Sequence, residues 1–188
     1  MDSSEISKYF SSIIEKNKNV DIIYNSRITS VDNKNGNYYL KLYDKEIHSP
    51  FVLNSTYASV NQILNLFNFS LFKVKYELAE IALCNVSTEI KDTGITIMDG
   101  PFMCIDPYGD TGWHVMGNVV HAIHSTNVGK FPEYDKKFDD LLNKGIVKNP
   151  SITNIDKFIE SAKMFFKDIE KVKHIGSMFT FRTVLPNR

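Results

Sequence analysis

The chain has 188 residues, enough for one compact domain or somewhat more, with its own hydrophobic core. Lysine and arginine together number 22, as do aspartate and glutamate, so there is no excess charge to attract nucleic acid or an anionic membrane surface. Nucleic-acid binding and membrane attachment are thereby excluded as primary roles.

The compartment is predicted from what the sequence lacks. The sequence contains no run of about 18 apolar residues, which is the length needed to cross a bilayer. The first residues have no apolar core of the kind that a signal peptide needs. Cys84 and Cys104 lie in apolar contexts, which is typical of reduced, buried thiols. We therefore expect a cytoplasmic protein.

The N-terminal part is predicted to begin with a helix and a buried strand. Apolar residues recur every three or four positions over residues 4–17, which predicts a helix with one buried face. The β-branched runs within residues 20–32 predict a buried strand followed by the first strand of a meander. The sequence NKNG at 33–36 predicts a tight turn in which Gly36 takes a positive φ.

The meander is predicted to continue and to lead into a second buried strand. Residues 37–49 alternate between apolar and polar, as in half-exposed strands that turn at residues 44–45. Residues 51–53 are continuously apolar, which is typical of a strand covered on both faces in a parallel sheet. These features predict an α/β unit with an inserted antiparallel sheet.

The remainder of the chain is predicted to form a broad antiparallel sheet with helices. A short amphipathic helix is expected over residues 59–69, and long alternating segments begin near residue 71. Two more helices are expected at 132–143 and 154–168, and a last strand at 175–186.

The segment from residue 20 to residue 63 resembles the middle of the flavin-dependent oxidoreductases related to D-amino acid oxidase and glycine oxidase. Those proteins have a helix, a buried strand, a three-stranded meander and then a strand that ends in a motif close to Asn-Ala-Thr-Gly-Ala. The corresponding residues 54–58 read Asn-Ser-Thr-Tyr-Ala. The MDGPF turn, the PYGDTG hairpin and the FRTVLP strand extend the resemblance over almost the whole chain.

The resemblance implies an α+β fold in two parts. Residues 1–58 would be a partial FAD-binding-domain segment with the meander, and residues 59–188 a substrate-binding domain with a large, mainly antiparallel sheet and flanking helices. The family begins with a Gly-x-Gly-x-x-Gly segment, in which bare backbone and a helix end hold the FAD pyrophosphate. None of the nine glycines here forms that pattern, and the family continues into a further segment that returns to the flavin.

The function implied by the resemblance is that of the complete protein. It would be an FAD-dependent oxidoreductase that oxidises a small amino acid, amine or hydroxy acid by hydride transfer to the flavin. This polypeptide alone is expected to hold FAD weakly and to be inactive. Flavin chemistry needs little acid–base assistance, so no residue is assigned as a catalytic acid or base and none as a metal ligand.

Arg182 is the first candidate for substrate binding. It lies in an otherwise apolar strand and looks like the arginine with which amino acid oxidases of the family bind a substrate carboxylate. The alternative is an arginine at a sheet edge that pairs with a surface acid. Further candidates are His121, His114 and Tyr108. His121 and His124 are three residues apart on a predicted strand, so they should point to opposite sides rather than share a metal.

The candidates for cofactor binding are Ile28, Thr56 and Tyr57. Ile28 occupies the place where the family holds the adenine of FAD with main-chain groups, and Thr56 and Tyr57 would lie near the flavin. Relatives carry glycine where this chain has Tyr57, which puts the usual close flavin contact in question.

Two other classes of function remain open. One is a non-catalytic module that keeps the substrate sheet and binds a small polar metabolite. The other is an interaction or scaffold domain in which the alternating strands only make a core.

Overall fold

The computed structural model of the protein describes residues 3–100 and 102–187, and its fold is of the mixed α+β class, as predicted. Pro101, which belongs to the predicted MDGPF turn, lies outside the described residues. The regular elements are α1 (Ser3–Glu15), β1 (Ser30–Lys34), β2 (Asn37–Lys41), β3 (Glu46–Ser49), α2 (Val60–Leu66), β4 (Val74–Asn85), β5 (Ile95–Ile97), β6 (Met103–Pro107), β7 (His114–Asn118), β8 (Ile123–Gly129), α3 (Ile155–Ala162) and β9 (Lys173–Val184).

The predicted meander is confirmed. β1, β2 and β3 pair antiparallel in sequence order and form a three-stranded sheet. The turn between β1 and β2 places Asn35 at φ 53° and Gly36 at φ 80°, the left-handed conformation that a tight hairpin with this twist requires. The second turn closes with a hydrogen bond from Leu42 N to Lys45 O at 2.8 Å.

The predicted antiparallel sheet is also confirmed, and it has six strands around β4. β9 pairs with β4 along one edge for almost its whole length. The other edge of β4 is divided, because β8 pairs with residues 74–79 and β7 with residues 82–84. Glu80 lies at this division, and its backbone N–H donates to Ala122 O at 2.8 Å in the turn between β7 and β8. β6 and β5 extend the sheet beyond β7.

The two faces of the large sheet differ in what covers them. Successive side chains of a strand point to opposite faces. One face of β4 packs into two core clusters, one around α3 and one around the segment 132–152. The fully buried members that β4 contributes to these clusters are Tyr76, Leu78, Ala82 and Cys84. The opposite face of β4 carries Ala79 and Ile81 and lines a groove. Helix α3 and the segment 132–152 therefore cover one face of the sheet, while the other retains a groove.

Asn61 joins α2 to the large sheet. This side chain is completely buried, and its Nδ2 donates to Phe72 O and Lys130 O at 2.7 Å each. Tyr76 Oη also donates to Lys130 O, at 3.0 Å. Because α2 follows directly on residues 54–58, these bonds hold that segment beside the end of β9.

The two predicted buried strands of the N-terminal part are not formed. Residues 20–24 and 51–53 have no strand conformation, and apolar side chains in both runs are exposed, with Phe51 and Leu53 at 72% and 76%. No strand of the described residues lies beside either run, so their backbone groups have no ladder to join. The helix predicted over 4–17 is present as α1, but its apolar residues are likewise exposed.

The prediction of a helix over residues 132–143 is wrong. Only a single 3₁₀ turn forms, at Lys136–Phe138, where Asp135 Oδ1 accepts from Lys137 N. The segment instead runs along the free edge of β9, where Asn143 N donates to Phe179 O at 2.8 Å. Pairing with that edge uses backbone groups that a helix would need for its own bonds.

The other helices are shorter than predicted. The helix expected over 59–69 is present as α2, and the helix expected over 154–168 is present as α3, which occupies the first half of that range. None of the helices in the two described ranges is both long and apolar enough to cross a membrane.

Gly176 marks a close approach between β9 and the chain beside it. Val147 and Ser177 exchange two backbone hydrogen bonds of 2.9 Å, and a Cβ at position 176 would lie 2.6 Å from Val147 O. We expect Gly176→Ala to lower the free energy of unfolding by about 1–3 kcal/mol, because backbone must shift to make room. Urea unfolding would measure this. Gly94→Ala is the matched control, since its nearest atom is Asp106 Oδ1 at 2.9 Å, on a side chain that can turn away. Equal stability of the two variants would contradict the packing described.

Candidate functional site

The groove on the open face of the large sheet has a volume of about 550 Å³. Its floor is formed by β4 and its neighbours, and its walls come from the turns at the ends of β5, β6 and β7. Most of the lining side chains are apolar: Ile81, Ile97, Met98, Phe102, Val119 and Ile123. Apolar walls around a few polar groups are typical of small-molecule sites.

Short side chains on neighbouring strands form the floor of the groove and make it deep. Ala79 is paired with Thr180 on β9, and Cys104 is paired with Thr96 and with Gly117. All five residues line the groove. Cross-strand partners lie on the same face, so a row of small residues leaves a concave surface in place of the usual packed layer.

Arg182 stands at one end of the groove and is paired with an acid. Its Nε and Nη2 donate to Glu77 Oε2 at 2.8 and 2.5 Å, and Lys75 Nζ lies 3.0 Å from Glu77 Oε1. Glu77 and Arg182 are direct cross-strand partners, with side chains 7% and 46% exposed. Burial raises the pKa of the Glu77 carboxyl, but hydrogen bonds from Arg182 and Lys75 outweigh it and leave the pKa lowered.

Tyr57 stands beside Arg182 in the lining of the groove. Its φ is 50°, in the left-handed region that favours glycine, where the resemblance also places glycine in relatives. Its hydroxyl accepts from Thr183 N at 3.1 Å, so it ties residues 54–58 to the end of β9. The structure therefore brings together Arg182 and Tyr57, which were predicted for substrate and cofactor respectively.

Glu80, which sequence reasoning did not single out, is a completely buried carboxylate beneath the groove. Its Oε2 accepts from His124 Nε2 at 2.7 Å and from Asn154 N at 2.8 Å. Its Oε1 accepts from Thr153 Oγ1 at 2.5 Å and from Ser177 Oγ at 2.6 Å. Four donors from β8, β9 and the start of α3 thus converge on one side chain of β4.

The charge of Glu80 determines which of the neighbouring atoms carry the hydrogens of these hydrogen bonds. An ionised carboxylate only accepts hydrogen bonds, so His124 Nε2 must carry a hydrogen. Ser177 gives its hydrogen to Glu80 and therefore accepts from His174 Nε2, 2.9 Å away. This orientation is the reverse of a serine nucleophile that gives its proton to a histidine base. The cluster joins strands and carries no nucleophile.

A pattern in the sequence could have revealed Glu80. Alternate residues from 76 to 84 form an apolar, inward-facing stripe, and Glu80 is the one charged member of it. Glu77, three positions earlier, points to the other face. A carboxylate inside an apolar stripe requires dedicated donors, which are the ones observed.

Acidification should weaken the fold through Glu80. Burial raises the pKa of this carboxyl, but the hydrogen bonds described above outweigh it, and the net pKa lies below the ordinary value of 4.5. A lowered folded-state pKa gives stability that is full above that value and is lost as the pH falls below it. We therefore expect the urea concentration at the unfolding midpoint to be lower at about pH 3.5 than at about pH 6. The difference between the two pH values should be smaller in Glu80→Gln. A midpoint that is unchanged or rises on acidification would contradict this expectation.

Ile28 and Thr56 come together in a second depression, of about 510 Å³, between the meander and α2. Arg27, Tyr43 and Gln62 also line it. Two of the three residues predicted for the cofactor therefore share one surface, and the third, Tyr57, follows Thr56 in the wall of the groove.

The remaining predicted residues lie outside both cavities. His114 is completely buried at the start of β7, and neither ring nitrogen has a partner among the described residues. Tyr108 lies in the β6–β7 hairpin, where its N–H donates to Trp113 O at 2.8 Å. His121 lies in the turn before β8, so the expectation of one strand carrying His121 and His124 is wrong. Roles in substrate binding for His114, Tyr108 and His121 stay predictions.

In the part of the chain that the structure describes, no group of three or more His, Cys, Asp or Glu side chains is arranged to hold a metal ion. Burial raises the pKa of the Cys84 thiol to about 12, which leaves it protonated and a poor ligand or nucleophile.

The fold is similar to that of glycine oxidase from Geobacillus kaustophilus, with a TM-score of 0.57 and 12% sequence identity. The chain shares a fold with part of glycine oxidase. The similarity covers 86% of this chain and 37% of that one, so this chain spans little more than a third of the glycine oxidase length. No family model matches the sequence, and neither does any curated protein. At this identity, the similarity establishes the fold alone.

Proposed function

We propose that this chain forms the substrate side of an FAD-dependent oxidoreductase that oxidises a small amino acid, amine or hydroxy acid. The observation that carries the proposal is the groove, a largely apolar cavity with Arg182 in its lining. It lies on the sheet of a fold shared with part of glycine oxidase. The sequence of residues 20–63 also resembles the same group of enzymes.

The residues of the groove would bind and orient the substrate. Arg182 would hold a substrate carboxylate through paired N–H donors, and the apolar walls would exclude water from the reacting carbon. Glu80 lines the groove, but its carboxylate is held by four donors beneath it and is not available as a base. FAD, when bound, would supply the chemistry by accepting the hydride.

The fit of the chain to FAD is partial. Ile28 and Thr56 line a depression beside the meander, and Tyr57, the next residue in the sequence, lines the groove. The sequence has no Gly-x-Gly-x-x-Gly segment for the pyrophosphate. This chain would therefore contact the cofactor on one side, and groups elsewhere would have to hold the phosphates.

Exposed apolar side chains support the proposal that groups outside this chain complete the cofactor site. They belong to the apolar stripe of α1 and the two runs at residues 20–24 and 51–53. Large apolar side chains that are exposed are typical of an interface, and continuous apolar runs are typical of strands covered on both faces. We propose that the rest of the cofactor domain packs here and adds strands beside the two runs.

A flavin spectrum tests the proposal. The protein from the complete natural reading frame should show flavin absorbance in the blue and near-ultraviolet, and an oxidisable amino acid, amine or hydroxy acid added without oxygen should bleach it. The 188-residue chain with added FAD should retain little flavin after gel filtration. If neither protein retains flavin when FAD is supplied, the proposal is wrong.

The second candidate is a non-catalytic module that binds a small metabolite in the same groove. A complete natural reading frame without a Gly-x-Gly-x-x-Gly segment would favour it. This candidate predicts that the groove binds carboxylates in a protein that never retains flavin.

A further inference from the structure

The Glu77–Arg182 pair has a geometry that bears on how the groove binds an anion. A guanidinium offers two edges with paired donors, one formed by Nε and one Nη group, the other by the two Nη groups. Glu77 Oε2 accepts from Nε and Nη2 and so occupies the first edge. Among the described residues, Nη1 has no hydrogen-bond partner. The second edge is thus left for another planar anion.

The fold fixes Glu77 more firmly than it fixes Arg182. Glu77 is a direct partner of Arg182 across β4 and β9, and its side chain is almost fully buried, whereas that of Arg182 is nearly half exposed. Lys75 binds the other carboxylate oxygen at 3.0 Å. Glu77 is therefore the fixed member of the pair, and Arg182, the more exposed member, lines the groove.

The charges favour anchoring over competition. Lys75, Glu77 and Arg182 together carry one net positive charge, so an anion in the groove still meets a cationic end. Lys75 also takes up the carboxylate oxygen that Arg182 does not use. An arginine on its own loses side-chain entropy when it binds, and a fixed side chain loses less.

We infer that Glu77 is a positioning residue, which holds one edge of the Arg182 guanidinium so that the edge formed by Nη1 and Nη2 faces a carboxylate in the groove. This inference rests on the proposed substrate site and deepens it. It does not depend on flavin, because the interaction can be measured on the 188-residue chain alone.

The test compares hexanoate with hexanamide, which has the same tail and shape and no charge. The ratio of their affinities, measured by calorimetry, reports what Arg182 adds and cancels any general loss of structure. Glu77→Gln should lower this ratio about tenfold, roughly the value of one charge-assisted hydrogen bond. Glu77→Asp should restore part of the ratio, and Glu89→Gln, an exposed acid on another turn, should leave it unchanged.

Three other outcomes are informative. A ratio that rises in Glu77→Gln would show that Glu77 competes with the ligand, and would overturn the inference. A ratio unchanged in Glu77→Gln but lost in Arg182→Gln would overturn the inference and leave the substrate site standing. Equal affinity of the unmodified chain for hexanoate and hexanamide would overturn both.

Discussion

Glu80→Leu is expected to lower the free energy of unfolding by about 3–5 kcal/mol, the largest effect of any single substitution considered for this protein. Leucine fills a similar volume but accepts no hydrogen bond. His124 Nε2, Asn154 N and the hydroxyls of Thr153 and Ser177 would all lose their acceptor. Unsatisfied buried donors are costly because water cannot replace the lost partner. Urea unfolding followed by circular dichroism would measure the loss.

Glu80→Gln is the matched control for this prediction. Its amide oxygen can accept from His124 and Asn154, and its amide nitrogen can donate to the hydroxyls of Thr153 and Ser177 if these rotate. The loss should therefore be clearly smaller than in Glu80→Leu. Similar stability of the leucine variant and the unmodified chain would contradict the described role of the cluster.

Arg182→Gln is expected to weaken hexanoate binding by a factor of about 30 to 100, the value of a charge-assisted, paired hydrogen bond. Glutamine cannot present two parallel donors and carries no charge. Arg182→Lys should recover only part of the affinity, because an ammonium is a point charge without the planar fork. Calorimetric titration of the 188-residue chain gives the dissociation constants.

Lys173→Gln is the control for a general effect of charge. Lys173 lies on the same strand, at the end opposite to Arg182, and its loss should leave hexanoate affinity unchanged. If Lys173→Gln and Arg182→Gln weaken binding equally, the cationic end of the groove is not the binding site. Circular dichroism of each variant would show whether the sheet is retained.

The strands were predictable where both partners belong to this chain. The alternation in β4 and β9 indicates strands with two different faces, and the NKNG turn specifies the first hairpin of the meander. Residues 20–24 and 51–53 have the apolar content of buried strands, yet they are exposed because nothing in the described structure pairs with them. The apolar pattern of a segment indicates that it can be buried in a sheet. Whether it is buried depends on a neighbouring strand with which it can pair.

The site was predictable only in part. Arg182 is conspicuous as a charge in an apolar strand, but its partner Glu77 is 105 residues away and is set by the register of β4 and β9. The segment 132–143 has helical spacing, yet it follows the free edge of β9, which no local pattern reveals. The groove itself arises from small residues on five different strands, such as Ala79 and Gly117, that meet only in the folded sheet.

The most direct test of the central claim is a flavin difference spectrum of the complete protein, titrated with hexanoate. A carboxylate held by Arg182 in a groove that faces the flavin should shift the flavin absorbance, and Arg182→Gln should abolish the shift while flavin stays bound. Hexanoate that binds with the affinity measured for the 188-residue chain but leaves the flavin spectrum unchanged would place groove and flavin apart. That result would contradict the assignment of this sheet as the substrate side of a flavin site.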